Sequence, residues 1–504
     1  DAVGAGLGPA RRAWFHLRLA EALLPWADRP GVAGELARHY AGAGEGHGDD
    51  TRTWSLAAAD DALDRGGWEL AEQLAEGVLA ARVSAPSDRV GALVVRGRAR
   101  RGLGDLSGAE VALGEAVELA RLHALPRGLA EAVHAIVGGG GVGAPDPARY
   151  RHVALVEEAL SGLGAGDDDL RIPLLGSLAL ALLLTDRDEE RERAATDALD
   201  RARRHGDPAV MARALLDQRC RVAQDRAAER LREGEEALAL AARCHLPEVT
   251  AAALVYRHED ALVLGDRSTA REALSLAAEH LERFPDPYWS WALATWRVLD
   301  LVLDGDLDAA EAASRSCLDL VADEDESSWA MACSGVQLVL LRTLQGRSGE
   351  VVPLLAQAAE ANPQVPCYRA VMAFAALQAD DPVTAATELD RFARDGFDSV
   401  PRDSNRLLTL AMLAETTVGL GDRGSASRLS ELLAPYRDLY VVLNCYGGGG
   451  AVWGPVAAQL AGLAAVVDDH DTALHLLAEA DAACARVGDR VFAARLAHGA
   501  PISR

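Results

Sequence analysis

Lysine is absent from this 504-residue chain: all 51 basic residues are arginine. That excludes Schiff-base catalysis, a phosphate-loop lysine and the lysine of a kinase-type nucleotide site. Cysteine is scarce and unpaired. The seven stand at 220, 244, 317, 333, 367, 445 and 484; no two form a C-x-x-C, and most lie inside apolar helical patterns. Neither a disulfide framework nor a zinc site is expected, and reduced buried thiols of a cytoplasmic protein are. Positive charge is also in deficit. Acidic residues number 76, and the net charge of −25 repels phosphate backbones and anionic lipid. Direct nucleic-acid or membrane binding is therefore not expected. Long apolar runs are missing too. The stretch Ile172 to Leu184 is too short to span a bilayer, and His16, Arg18 and Glu21 break the early apolar segment that a signal peptide would need. The first residue is Asp, so a processed form or a piece of a longer protein is expected.

Catalytic signatures are lacking as well. There is no H-E-x-x-H, G-x-S-x-G or G-x-x-x-x-G-K, and His258-Glu259-Asp260 lacks the second histidine of a metalloprotease helix. Acid pairs such as Asp168-Asp169 and Glu189-Glu190 open helical patterns, where carboxylates complement the helix dipole. No catalytic residue, metal ligand or cofactor is expected.

What is present is a repeat. Polar turns at Asp186-Arg187, Asp225-Arg226, Asp266-Arg267, Asp306, Arg347, Asp381 and Asp422-Arg423 recur at spacings of 39, 41, 40, 41, 34 and 41 residues. Gly66 and Gly104-Asp105 continue the series upstream. Each unit reads as helix, tight turn, helix. In residues 88–122, Val90, Leu93, Val94 and Gly97 share one helical face; Gly104-Asp105 breaks the helix, and Ser107 is placed to cap the next. Ala109, Leu113, Ala116, Val117 and Ala120 then form a second stripe. Neither helix can bury its stripe alone, so each hairpin needs its neighbours. Roughly eleven or twelve hairpins are expected, on the scale typical of helical repeats. The predicted fold is all-α, with tetratricopeptide-like helical hairpins forming a right-handed superhelical solenoid. Two glycine tracts interrupt it. Gly138 to Gly141 predicts a loop or bend near 138–147, and Asn444 to Gly450 predicts a second Gly-rich loop. Only Tyr440 to Leu443 has strand character.

The two ends resemble a known family. Residues 11–43 read RRAWFHLRLAEALLPWADRPGVAGELARHYAGA. Here His16, Leu19, Ala20, Glu21, Ala22 and Leu23, then Glu35, Leu36, Ala37, Arg38, His39 and Tyr40, match R-x-x-L-H-x-x-L-A-E-A-L and E-L-A-x-H-Y. This looks like the junction in actinobacterial STAND-type regulatory ATPases between the winged-helix end of the nucleotide-binding module and a tetratricopeptide-like sensor region. Gly454-Pro455-Val456-Ala457 is similar to a stretch near the close of the sensor arrays of large LuxR-type and antibiotic-regulatory-type activators. The resemblance implies a junction over 1–46 and a repeat array over 47–504. It implies a sensor and interaction scaffold that binds a signal ligand or partner and restrains an ATPase and DNA-binding module. Neither module is in this chain, which has no Walker segment and no helix-turn-helix. The implied partner is that module or another protein, with a small-molecule signal also open. A stand-alone adaptor, or a biosynthetic enzyme built on an α-solenoid, is the alternative.

Register singles out candidate binding residues. Tyr256, Trp296 and Gln337 each lie ten residues before a turn, at Asp266, Asp306 and Arg347. Equivalent positions on stacked helices face one way, so these side chains are expected to form a ladder on one wall. Arg257 and Arg297 repeat one residue later. Trp289 is two helical turns before Trp296, and Trp329 takes nearly the equivalent place in the next repeat. Aromatics and a few charges suit an amphipathic ligand or a partner helix. The same stripe would also serve as packing between repeats.

Overall fold

The computed structural model describes residues 8–29, 31–81, 83–137, 149–183, 185, 187–221, 224–321, 328–445 and 447–497. The bend expected at 138–147 lies outside them. Two compact units form, one running from the first helix to Ser177 and the other from Leu178 onward.

The first unit contains α1 (Pro9–Leu23), α2 (Val32–Ala43), α3 (Gly48–Leu63), α4 (Trp68–Leu79), α5 (Pro86–Gly102), α6 (Leu106–Leu122), α7 (Pro126–Val137), α8 (Arg149–Gly162) and the start of α9 (Asp168–Ala181). The second opens with α10 (Asp188–His205), α11 (Pro208–Asp217) and α12 (Ala227–Cys244). Its pairs are α13 (Pro247–Val263) with α14 (Arg267–Arg283), α15 (Pro287–Asp304) with α16 (Leu307–Asp319), α17 (Ser328–Leu344) with α18 (Val352–Ala361), α19 (Cys367–Gln378) with α20 (Pro382–Ala393), and α21 (Arg406–Leu420) with α22 (Arg423–Leu433). After two strands come α23 (Val456–Val466), α24 (His470–Val487) and α25 (Arg490–Ala497). The chain is thus a tetratricopeptide-like repeat of helical hairpins, as the spacing of turns predicts.

One dipeptide recurs at four of the turns. Gly104, Gly265, Gly305 and Gly421 take positive φ, which ends the first helix without a Cβ clash. The following Asp105, Asp266, Asp306 and Asp422 return an amide to the helix just ended, as in Asp266 N–H to Ala261 O at 2.8 Å. Their carboxylates then cap the next helix, as in Asp266 accepting from Thr269 N–H at 3.1 Å. Such a cap contributes about 1 kcal/mol. The expectation that Ser107 caps α6 is corrected: Asp105 does so, accepting from Gly108 N–H at 2.8 Å, because the helix starts two residues earlier. At Asp380-Asp381 and Asp468-Asp469 an aspartate takes the positive-φ place of glycine.

The second unit departs from a plain stack in two ways. Tyr440–Cys445 (β1) and Gly448–Pro455 (β2) pair antiparallel, Tyr440 opposite Pro455 and Cys445 opposite Gly448. The Gly-rich loop expected at 444–450 is therefore in part a strand. The hairpin is buried among α13, α15, α17 and α21, and Trp453 meets Phe374 of α19 edge-on at 5.2 Å. The first helices of five successive pairs thus converge on it. The array also returns on itself: α24 packs against α14 and α25 against α15. Arg267 donates to the carbonyls of Val487 and Gly488, at 3.4 and 3.2 Å. One apolar core consequently runs from Ala227 to Phe492, with the hairpin inside it.

Candidate functional site

The wall of first helices exists, and the chain's own hairpin lies across it. Trp296 is 0% exposed, and its indole N–H donates to Gly447 O at 2.9 Å. Gln337 is also 0% exposed. Its amide donates to Gly449 O at 2.6 Å and Thr295 O at 3.1 Å, and its oxygen accepts from Ser314 at 2.7 Å. Trp296 and Gln337 do face one way, but what they meet is backbone, so neither lines an open groove. Glycine is what permits the approach. A Cβ on Gly449 would lie 2.9 Å from the Trp296 ring and 3.0 Å from its Cα. The Gly-rich amides are likewise committed: Gly447 N–H donates to Asn444 Oδ1 at 2.7 Å and Gly449 N–H to Thr295 Oγ1 at 3.0 Å. They leave no cradle for a ligand.

Tyr256 and Trp289, the other aromatics of the expected site, come together at the edge of this wall. Both are half-buried. Their rings meet edge-to-face at 5.7 Å, and Trp289 meets Tyr288 in the same manner at 4.9 Å. Arg257 points outward to Glu272 at 3.2 Å, and Arg297 is exposed. The side chain of Trp329 lies outside the described residues.

An ion network supports the corner. Arg219 lies over the Tyr256 ring, 4.5 Å from its centroid. It donates to Asp260 and, at 2.5 Å, to Glu259. Arg230 pairs with Asp260 at 2.9 Å, and Asn444 at the end of β1 donates to Glu259 at 2.5 Å. Burial opposes the Arg219 charge, but Asp260 and Glu259 outweigh it and raise its pKa. Burial raises the Tyr256 phenol as well. Behind the wall, His258 is buried and meets the Trp296 ring at 4.9 Å; burial pulls its pKa down to about 4, so it is neutral packing.

Sequence reasoning did not find Arg219, Arg230 or Asn444. Asn444 lies 185 residues from Glu259, and no spacing rule spans that distance. A signal existed on α13: His258-Glu259-Asp260 is a polar run in a helix whose other residues from Val249 to Val263 are largely apolar, and buried charges need partners.

All seven cysteines are free thiols, six of them buried. Among the described residues, no group of three or more His, Cys, Asp or Glu could hold a metal ion, and no helix is long and apolar enough to cross a membrane.

No protein-family model matches the chain, and no curated protein matches it. Among solved structures it is similar to yeast Tom70, with 13% identity over 95% of this chain and 96% of that one and a TM-score of 0.35. It is also similar to a chain of the APC/C hetero-tetramer Cut9-Hcn1, with 14% identity over 95% and 92% and a TM-score of 0.41.

Proposed function

We propose that this chain is the sensor and protein-interaction scaffold of a transcriptional regulator, and that it controls a nucleotide-binding module carried elsewhere in the parent protein. The observation that carries the reading is the outer face of α1. Trp14 is 56% exposed, Phe15 45% and Leu19 48%, and Trp26 just beyond the helix is 47% exposed. The rings of Trp14 and Phe15 meet at 5.0 Å, with Leu19 one turn beyond Phe15, and exposed apolar side chains gathered in this way mark an interaction site. Terminal repeats that face water carry polar outer surfaces instead. The opposite face of α1 packs on α2 through Ala20, Leu36 and Tyr40. There His16 and His39 meet at 2.9 Å. These are two of the residues on which the resemblance to the STAND junction rests. The segment that resembles the junction thus pairs as a helical hairpin and leaves an apolar face toward a neighbour.

Within the second unit, the hairpin occupies the wall over α15 and α17. The Tyr256–Trp289 corner remains as the place where a signal could be read. It offers aromatic faces, and its charges sit on packed helices. To act as a sensor it must favour one state of the neighbouring module, since equal affinity for both would shift nothing.

The coding sequence upstream of Asp1 is the first test. A phosphate-loop segment followed by an acidic Walker B strand is expected there. A reading frame that opens at this chain without such a segment would replace this reading with that of a stand-alone adaptor or enzyme.

A further inference from the structure

We infer that the His16–His39 pair is a pH-sensitive clasp between α1 and α2, and that acidification to about pH 5.5 releases α1 together with its apolar face at Trp14, Phe15 and Leu19. The inference deepens the reading of that face as the contact with a neighbouring module, and its consequence for control rests on that reading.

The hydrogen bonds assign the ring protons. A guanidinium only donates, so the contact of Arg38 Nη2 with His39 Nε2 at 3.2 Å makes Nε2 an acceptor. His39 is then neutral, carries its proton on Nδ1 and donates it to His16 Nδ1 at 2.9 Å. His16 accepts at Nδ1, which places its own proton on Nε2. The arrangement fits two neutral rings in opposite tautomers.

A further proton has no place in it. On His39 it would sit on Nε2 and point at the Arg38 guanidinium. On His16 it would sit on Nδ1, head-on to the His39 N–H. Exchanging the His39 tautomer relieves that clash only by turning an N–H on Arg38. The carboxylate beside the pair, Glu35, lies 3.8 Å from His39 Nε2 and is already paired with Arg38. The other charges along this seam are engaged elsewhere: Glu21 of α1 pairs with Arg18 at 2.5 Å, and His47 before α3 with Asp50 at 3.2 Å. The rings have little room to part. His39 is 6% exposed, and a Cβ on Gly42 of α2 would come within 2.7 Å of the His16 ring.

Protons therefore favour separation of the helices. Burial, and then Arg38 and His16, hold the His39 pKa below its ordinary value of 6.5. The open form takes up protons that the closed pair refuses, so the clasp is at full strength above about pH 7 and weakens as pH falls below it. Trp14 and Phe15 immediately precede His16, on the exposed side of the same turn. Loosening at His16 thus acts directly on the apolar face.

Two measurements on the purified chain test this. Ring nitrogen chemical shifts at about pH 7.5 should show the His39 proton on Nδ1 and the His16 proton on Nε2. Hydrogen exchange of the α1 amides, normalised at each pH to an unstructured peptide, gives the opening equilibrium. Opening should rise at least about tenfold from about pH 7.5 to about pH 5.5, the effect of one extra proton bound by the open form. His16→Asn keeps an acceptor and cannot titrate, so it should lose much of that rise; His16→Asn/His39→Gln should flatten it. Protons on Nε2 in both rings, a rise of less than about threefold, or an undiminished rise in the double variant would each overturn the proposal. A clasp that opens as expected, in a parent protein whose ATP turnover ignores Trp14 and Trp26, would keep the switch and remove the contact reading.

Discussion

The indole N–H of Trp296 donates to the carbonyl of Gly447 at 2.9 Å, across 151 residues of chain. The bond joins the middle of a repeat helix to the turn of the hairpin that lies over it. Trp296 is thereby part of the core. Trp296→Ala should cost about 3–5 kcal/mol in urea unfolding, the range for a large buried aromatic. Gly449→Ala should also destabilise, because its Cβ would meet the backbone at the Trp296 Cα as well as the ring. Gly335→Ala is the control: nothing lies within 4 Å of its Cβ position on α17, so the exchange should be neutral or stabilise by up to about 1 kcal/mol. A Trp296→Ala protein as stable as its parent would show that the hairpin does not sit on this wall.

Arg267 holds the end of the array to its middle. It is 6% exposed, and pairs with Asp300 and Asp304, both at 2.9 Å, while reaching the carbonyls of Val487 and Gly488. Arg271 still pairs with Asp300 and Asp304, at 2.8 and 2.7 Å, so Arg267→Ala mainly strands the carbonyls of Val487 and Gly488, at a cost of about 1–3 kcal/mol. Hydrogen exchange should locate the loss in α24 and α25. Protection there that is unchanged would mean apolar packing alone keeps those helices in place.

Asp217 makes stability depend on pH. Its pKa stands at about 7 in the fold against an ordinary value of 3.8. The folded state therefore holds this proton more tightly, so the group's contribution to stability declines as pH rises from about 4 to about 7 and is flat above. Asp217→Asn lacks this term. The variant should gain stability over its parent as pH rises, with the largest difference above pH 7. Urea midpoints at about pH 5 and about pH 8 check it. An equal difference at both would place the carboxyl in water.

Much of the repeat was legible because its turns are local. Gly265-Asp266 and Gly305-Asp306 each end one helix and cap the next within a few residues, and that chemistry shows as a spacing. Trp296 and Gln337 share a register, ten residues before their turns, and both reach the hairpin, but what they face was not legible because the hairpin arrives from beyond residue 440. The glycines at 447–450 read as a loop for the same reason. Glycine in a strand has no local signature, and here its meaning is the closeness of Trp291 and Trp296. Half of the candidate site was visible as Tyr256 and Trp289. Arg219 and Asn444 were not, since only folding brings the turn after α11, α13 and the hairpin together.

We propose α1 as the contact through which this chain controls a nucleotide-binding module. ATP hydrolysis by the product of the complete reading frame tests that most directly, comparing the parent with Trp14→Ser/Trp26→Ser. Both side chains are exposed, so the melting temperature should hold while the basal rate changes by about fivefold or more, the scale of a typical coupling free energy. A product that neither binds nor hydrolyses ATP, or one whose rate is the same with and without the two tryptophans, would contradict it.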